Sequence, residues 1–589
     1  MGKVPVPTDI SSRYFWCALV LPFFFVTLLF GALASWLPSI GGSSEAREAH
    51  VIRLMVEHND YVLPSRNGLI PSKPPLYHWI GAFLSKNLFG FSPFSARLPS
   101  LLAAGIVLIV TLSLARLLFR NLLQEQQLIY IVLSGLVLSS SYGFERMRGV
   151  AMVDMVFTAA VTLAVAMVLR RLWDQRSAEF SPDLVLRQRD KILFFCFCAC
   201  AVLAKGPVGL LLSCVIVLPS LLGRLGLRET VKFYLVPNVG WLIFLLLVSP
   251  WYYLAALRSQ DAFVGKQLVF ENIKRFIGGE NVNAQPWWFY LPALVSSAFP
   301  WSLIFIYSIP RVWRETKAAV QRVSVPQLPI TLLTHSLLLC LVFFSISSGK
   351  RDSYLLPLLP WLALIVATRM QEYFSSLQLT VTQKFINQAS LAVSALVLVT
   401  IVAALILEWF AQFGFQFRNE IINMILIWLV RDRAILYLMV AIVLLTMFWG
   451  SRSQRLPYQK LFAYGLVVIA LMSVFVAAGY SIRNRFKDFD GVAQALLAKV
   501  GDQPLQVVRE SRDEFFDGIL YYLGRSVDLV TPNDFHLRCK GYALVRYDHW
   551  QELKGQAILA QAQEVETFFE IDDHLKGKTS NQKILVQCL

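Results

Sequence analysis

The amino-acid sequence predicts an all-α polytopic membrane domain followed by a small α/β domain. Three observations carry that prediction. The 589-residue chain is 56% hydrophobic and only 16% charged, with a mean hydropathy of +0.56. Apolar runs of about 17–25 residues recur along it, the length that crosses a hydrocarbon core about 30 Å thick. Past residue 480 the composition changes: charges become frequent and the apolar runs shorten to strand length.

Thirteen spans are expected, at 15–38, 97–118, 126–141, 152–172, 191–204, 207–223, 233–256, 287–310, 327–346, 353–369, 385–408, 433–450 and 459–480. Only Lys205-Gly206-Pro207 separates the fifth from the sixth, so one broken helix is the alternative there. Met1–Arg13 has little charge, and no small-residue cleavage site follows its apolar run, which reads as a signal anchor. Lys and Arg in short loops orient such a chain. The loops 170–191, 224–232, 311–322 and 452–460 all carry several and agree on a cytoplasmic N-terminus. An odd number of spans then places the C-terminus outside. Most of the net charge of +16 sits in these loops. It is therefore topological charge, not a nucleic-acid surface.

The domain from 481 to 589 alternates strand-like runs (Leu505–Val508, Val527–Val530, Tyr542–Val545, Ile584–Val586) with helical patterns (Gly491–Val500, Glu514–Leu523). Of eight cysteines, Cys17, Cys196, Cys198, Cys200, Cys214 and Cys340 fall in spans and read as small apolar packing. Cys539 and Cys588 share the external tail, where an oxidising compartment permits a disulfide.

The outside loop 39–96 breaks the charge rule, since it holds Arg47, Arg53, Arg66, Lys73 and Lys86. Its Ala46–Val56 and Tyr77–Leu88 segments have helical apolar spacing and suit two helices lying along the membrane interface. Tyr77, His78 and Trp79 would then lie at headgroup depth. Further outside turns place cations beside Gly or Pro, at Lys205-Gly206-Pro207 and Ser348-Gly349-Lys350-Arg351. With Lys73-Pro74-Pro75 they suggest one shared anion site; contact with anionic lipid headgroups is the bland alternative. Asp154 opens the fourth span, where an ionisable group marks either a functional cavity or a helix cap. In the second long outside loop, 256–287, Phe270–Phe276 reads as a short amphipathic helix, and Trp287-Trp288-Phe289-Tyr290 as an interfacial aromatic belt. The sequence contains no Walker A, G-x-G-x-x-G, H-E-x-x-H or C-x-x-C pattern, so ATP-driven transport and zinc-protease chemistry have no support.

Several of these segments, taken in order, resemble the bacterial branch of the GT-C glycosyltransferases. They are Ser44-Glu45-Ala46-Arg47, the Lys73–Trp79 run, Ala96-Arg97-Leu98-Pro99-Ser100, Asp154-Met155, Ala204–Pro207, Ser249-Pro250-Trp251-Tyr252, Pro286–Tyr290 and Gly349–Pro357. The chain is similar to the aminoarabinose lipid A transferases and, more distantly, to the protein O-mannosyltransferases. That resemblance implies a multi-pass enzyme of the bacterial inner membrane with a periplasmic C-terminus. It implies inverting transfer of a sugar from a polyprenyl-phosphate donor to lipid A, another glycan or a protein; no cofactor is expected, and a divalent metal, the one alternative, has no support in the sequence. Arg47, Lys73, Arg148, Lys205, Lys350 and Arg351 would bind the donor phosphate. Tyr77, Trp79 and Tyr354 would line the substrate pocket. Glu45 is the first candidate for the catalytic carboxylate and Asp154 the second. Two positions depart from the pattern. Ser44 stands where the family commonly has Asp, which leaves the carboxylate role to Glu45. Ser72 stands where the aminoarabinose enzymes commonly have an acidic residue, which argues against a metal site and against that particular assignment. The alternatives are a lipid or lipid-linked-sugar flippase and a non-catalytic lipid-sugar binder of the same fold. A flippase predicts charge pairs at mid-membrane and pseudo-symmetric halves, neither of which the sequence shows.

Overall fold

The computed structural model describes residues 43–64, 73–173, 186–259, 284–320, 328–375, 489–508, 516–525, 527–538, 540–554, 562–568 and 583–588, together with 21, 24, 25, 27, 29, 39, 40, 263, 265, 465, 468–470, 472, 473 and 476. In chain order the helices are α1 (Ser43–Glu57), α2 (Leu76–Leu84, continued by a π turn over Ser85–Phe89), α3 (Pro93–Leu118), α4 (Gln124–Ser139), α5 (Tyr142–Arg148), α6 (Val153–Trp173), α7 (Gln188–Lys205), α8 (Val208–Leu235), α9 (Val239–Ser259), α10 (Tyr290–Ser297), α11 (Ser302–Val320), α12 (Leu328–Ile346) and α13 (Leu359–Ser375, entered through a 3-10 turn over Asp352–Leu358). The tail adds α14 (Phe489–Val500), β1 (Leu505–Val508), α15 (Asp517–Leu523), β2 (Asp528–Val530), α16 (Pro532–Arg538), β3 (Tyr542–Arg546), α17 (Tyr547–Lys554), β4 (Ala562–Phe568) and β5 (Lys583–Cys588). The chain divides into two compact units, one comprising 1–34, 72–77 and 97–476, the other 35–71, 78–96 and 477–589.

In the first unit, among the described residues, six helices are long and apolar enough to cross a membrane, and up to eight if two bent pairs each count as one span. The chain is a multi-pass membrane protein. The expected spans 385–408 and 433–450, and most of 15–38 and 459–480, lie outside the described residues. The helix over the expected span 191–204, α7, falls short of this test, because its 18 residues include Arg189, Asp190, Lys191 and Lys205.

The expected span 126–141 corresponds to α4, which a 64° bend joins to α5, while the expected straight span 287–310 is corrected to a pair of helices bent by 119°. Each break has a local cause. The Ser140 and Ser141 hydroxyls bond back to the Leu136 and Val137 carbonyls, each at 2.6 Å, and compete with the backbone ladder. Pro300 has no N–H with which to continue the second helix. The two breaks meet and satisfy each other. The Tyr142 N–H donates to the Phe299 carbonyl at 3.1 Å, and the Trp301 indole N–H donates to the Ser140 hydroxyl at 2.9 Å. Non-helical backbone at membrane depth requires such partners.

The choice between one broken helix and two at Lys205-Gly206-Pro207 resolves to two. A Cβ on Gly209 would stand 2.5 Å from the Ala201 carbonyl carbon. A straight helix would separate these residues by about 12 Å, so the chain reverses here. The expected loop 224–232 contains a break at Gly226 (φ 78°, ψ 173°), which divides α8 into two helical segments, the second reaching Leu235.

In the second unit, five strands form one sheet in the order β2-β1-β3-β5-β4. β1 pairs in parallel with β2 and β3, and β5 pairs antiparallel with β3 and β4. Val508, Val545, Val586, Phe535 and Trp550 form part of its core. The strand β4 and the helices α16 and α17 were not expected from the sequence. Cys588, at the end of β5, is disulfide-bonded, while Cys539 lies outside the described residues.

Candidate active site

The site in the first unit is built where two helix ends meet. Asp154 is in the first turn of α6 and Lys205 is the last residue of α7. A carboxylate at a helix N-terminus and an ammonium at a C-terminus each complement the local dipole. The Lys205 Nζ donates to Asp154 Oδ1 at 2.6 Å, and both side chains are largely buried. The third wall is the 3-10 turn Asp352–Leu358. From it the Ser353 hydroxyl hydrogen-bonds to Asp154, and the Tyr354 ring lies 4.6 Å from Lys205 Nζ. The Phe157 ring lies 5.0 Å from the same nitrogen. Lys73 completes the cluster, close enough for its charge to act on Asp154. Its neighbours Pro74 and Pro75 are buried, which holds this part of the loop in place.

Neighbouring contacts fix the walls. The Ser100 hydroxyl donates to the Met152 carbonyl at 3.1 Å, just before α6 begins. Arg146 pairs with Asp352 at 2.6 Å and ties α5 to the 3-10 turn.

An ammonium has three N–H donors. One on Lys205 is committed to Asp154, and two aromatic faces flank the group. Among the described residues no further acceptor takes the others. An ammonium held against a carboxylate and over ring faces is fixed in position. It can receive a second anion without leaving the first.

The remaining candidates separate into other places. Arg148 pairs with Glu145, not with Asp154. Its Nε and Nη2 reach Glu145 Oε2 at 3.0 and 2.6 Å, Nη2 also reaches the Ser473 hydroxyl at 2.7 Å, and Nη1 bonds the Thr27 carbonyl. With its side chain 1% exposed, Arg148 reads as an interior tie. Lys350 is buried too. Its ammonium donates to the Gln285 carbonyl at 3.1 Å and to that of Ser347, beside a bridge between Ala284 and Gly349. It closes that turn, at whose end Arg351 is half-buried. Tyr77 is fully buried.

Glu45 and Arg47 lie in α1, in the second unit, with Glu45 only 2% exposed. Arg47 is committed to Glu48 at 2.8 Å, and Glu48 Oε2 meets His78 Nε2 at 2.8 Å. Burial alone would raise the Glu48 carboxyl, but Arg47 and His78 outweigh it and hold the group well below the usual carboxylate range. The Trp79 indole donates to the Tyr61 carbonyl at 2.7 Å. Among the described residues no group of three or more His, Cys, Asp or Glu is arranged to hold a metal ion. Cys196, Cys198, Cys200, Cys214 and Cys340 are free thiols.

No family model matches the chain. It is similar to the undecaprenyl phosphate-α-4-amino-4-deoxy-L-arabinose arabinosyl transferase of Pseudomonas aeruginosa, 30% identical over 360 residues, which cover 60% of this chain and 59% of that protein. The enzyme of the same name from Shewanella sediminis is 29% identical over 358 residues, 59% of each chain. The chain thus spans about three-fifths of the length of these relatives. The crystal structure of ArnT from Cupriavidus metallidurans bound to undecaprenyl phosphate matches with a TM-score of 0.66, over 97% of this chain and 98% of that one, at 18% identity. Its apo form matches at 0.65. The chain has the ArnT fold. This is the GT-C architecture expected from the sequence, a helical membrane domain with a small sheet-bearing tail. Within the ArnT fold, sequence reasoning found Asp154 and Lys205 but did not pair them, and it did not single out Ser353 or Phe157. A Ser next to a selected Tyr, and an aromatic one helical turn after a selected Asp, were the available signals.

Proposed function

We propose that the chain is a glycosyltransferase that moves a sugar from a polyprenyl-phosphate donor to an acceptor hydroxyl or amine at the outer face of the bacterial inner membrane. The observation that carries this reading is Lys205, an ammonium anchored to Asp154, framed by Tyr354 and Phe157, and close to Lys73 through their shared carboxylate. In the transfer, the acceptor oxygen or nitrogen forms a bond to the anomeric carbon as the bond from that carbon to phosphate oxygen breaks. The phosphate takes the electron pair, and the acceptor proton passes to a carboxylate. Negative charge grows on the leaving phosphate, and fixed ammonium groups stabilise it most in the transition state. Lys73 and Lys205 have that role here. Asp154, already committed to Lys205, orients it. Glu45 is the carboxylate assigned to the acceptor proton. The ArnT of Cupriavidus metallidurans has been captured with undecaprenyl phosphate, and the same class of donor is proposed here. Lipid A, another glycan or a protein is the acceptor.

Mass spectrometry of envelope glycolipids from cells with and without the chain tests this reading. A sugar-bearing species should disappear with the gene and with Lys205→Ala. Unchanged glycolipids, together with a changed distribution of lipid-linked sugar between the two leaflets, would replace the transferase by a flippase. The topology is part of the proposal: a cytoplasmic N-terminus, with Glu45, Lys73, Asp154, Lys205, Lys350 and the C-terminus in the periplasm. Cysteines placed at neighbouring loop positions should react with a membrane-impermeant reagent without breaching the inner membrane.

A further inference from the structure

Helix α1 is unusual for a helix in an external loop, because the far end of the chain holds it. Both elements belong to the second unit. Arg53, in the third turn of α1, donates from Nη1 to the Tyr521 carbonyl at 2.7 Å, across 468 residues of sequence. Its Nε is braced on Glu57 at 2.6 Å, and its guanidinium lies 5.7 Å from the centre of the Phe91 ring. Tyr521 is in the last turn of α15, where carbonyls lack intrahelical partners and carry partial negative charge. Gly524 ends that helix at φ 65°, and a Cβ there would stand 2.8 Å from Arg53 Nη2. The residue that caps α15 is therefore also the one that admits the guanidinium. A second tie lies just before α1, where the buried Ile40 N–H donates to the Tyr522 hydroxyl at 2.6 Å. A third lies across the helix, where Glu48 meets His78. Two polar ties thus hold the 15-residue helix itself and a third holds the residue three positions before it.

From these contacts we infer that the α/β tail is a positioning part of the transferase, and that Arg53 is the positioning residue through which α15 fixes the helix carrying Glu45 and Arg47. The inference rests on the transferase reading above. A reacting group has to be held within about 0.5 Å of its productive place, and a displacement of about 1 Å costs up to 10²-fold in rate. An arginine fork anchored on backbone supplies that rigidity without entering the chemistry.

The test uses the full chain reconstituted in liposomes with polyprenyl-phosphate sugars extracted from the cell. Arg53→Met keeps the stem and removes the donors. Its kcat should fall about 10- to 10²-fold, while donor KM and the stoichiometry of polyprenyl-phosphate binding stay at wild-type values. Hydrogen exchange should quicken in 43–57 and stay unchanged in β1, β3 and β5. Arg53→Lys, which keeps a charge and a donor, should recover part of kcat. Full turnover by Arg53→Met overturns the inference. So does a parallel loss of lipid binding and of sheet protection, which would mark a merely structural contact. If the wild-type protein transfers no sugar, the transferase reading fails, and with it the positioning role. Faster exchange confined to α1 in Arg53→Met would still detect the tie itself, so the two failures are distinguishable.

Discussion

Lys205 and Asp154 are 51 residues apart in the chain and 2.6 Å apart in the fold. Because both are largely buried, removing either leaves a charge without its partner inside a membrane domain. Breaking a buried pair costs about 3–5 kcal/mol, whereas replacing both partners by apolar groups is often close to neutral. Asp154→Asn and Lys205→Met should therefore each lower stability on that scale. The double variant should recover at least about 1 kcal/mol relative to the sum of the two. Unfolding in detergent, followed by tryptophan fluorescence, reads this coupling. Transfer should be lost in Lys205→Met and in the double variant, because the recovered stability does not restore an ammonium for the phosphate.

Lys73 separates binding from catalysis differently. It acts on Asp154 from the start of the Lys-Pro-Pro run, and it is half-buried. Lys73→Ala should abolish transfer and leave the protein folded, since its cation counts most when phosphate charge grows. Lys73→Arg should restore only part of the rate, because a planar fork does not replace a point charge. Full activity in Lys73→Ala, measured by glycolipid mass spectrometry, would remove it from the phosphate site.

How much of this was legible beforehand depends on the range of the interaction. Hydropathy marks the spans, and short apolar runs mark β1, β2, β3 and β5, because each signal lies within one element. The edge strand β4, Ala562–Phe568, was missed because Gln563, Glu564 and Glu566 make it polar; edge strands commonly carry such charges. The bends at Ser140-Ser141 and Pro300 have local causes, but the hydrogen bonds that satisfy both breaks run between them, and only the fold brings these together. Asp154 and Lys205 stand out in sequence as charges at span ends, but only tertiary packing pairs them. Arg148 is the opposite case: its partner Glu145 is three residues away on the same helix, a spacing that sequence alone displays, but the sequence reading did not pair them.

The Arg148–Glu145 pair separates a structural arginine from a phosphate ligand. Arg148→Met should destabilise the protein by about 3–5 kcal/mol, because Glu145 is left buried without its partner. Adding Glu145→Leu should recover most of that loss. Transfer by the recovered double variant should approach the wild-type rate. A stable double variant without transfer would return Arg148 to the donor site.

Acidification should act first on the Glu48 contacts of α1. The Glu48 carboxyl is held below its ordinary value of about 4.3. Its contribution to stability is therefore fully present above that value and is lost as pH falls from there through the lowered native value. Melting temperature should drop on going from about pH 5 to pH 3. Glu48→Gln should start lower at pH 7 and fall less steeply over the same interval. Parallel curves for the two proteins would show that Glu48 does not carry this dependence.

The assignment of the acceptor carboxylate turns on comparing two variants under one assay. If Glu45 accepts the proton, Glu45→Gln should lower turnover by about 10²-fold or more while donor binding persists, the scale usual for general bases. Asp154→Asn should instead weaken the donor side, because it releases Lys205 from its anchor. Donor KM should then rise together with the fall in kcat. Ser44→Asp, which restores the acidic residue common in the resembled family, should be tolerated and should recover part of the rate in a Glu45→Gln background. The reverse pattern, a mild Glu45→Gln and an Asp154→Asn that binds donor normally but does not transfer, would move the carboxylate role to Asp154. In that case Lys205 would be its means of orientation, and the burial of Glu45 would be explained by the packing of α1 alone.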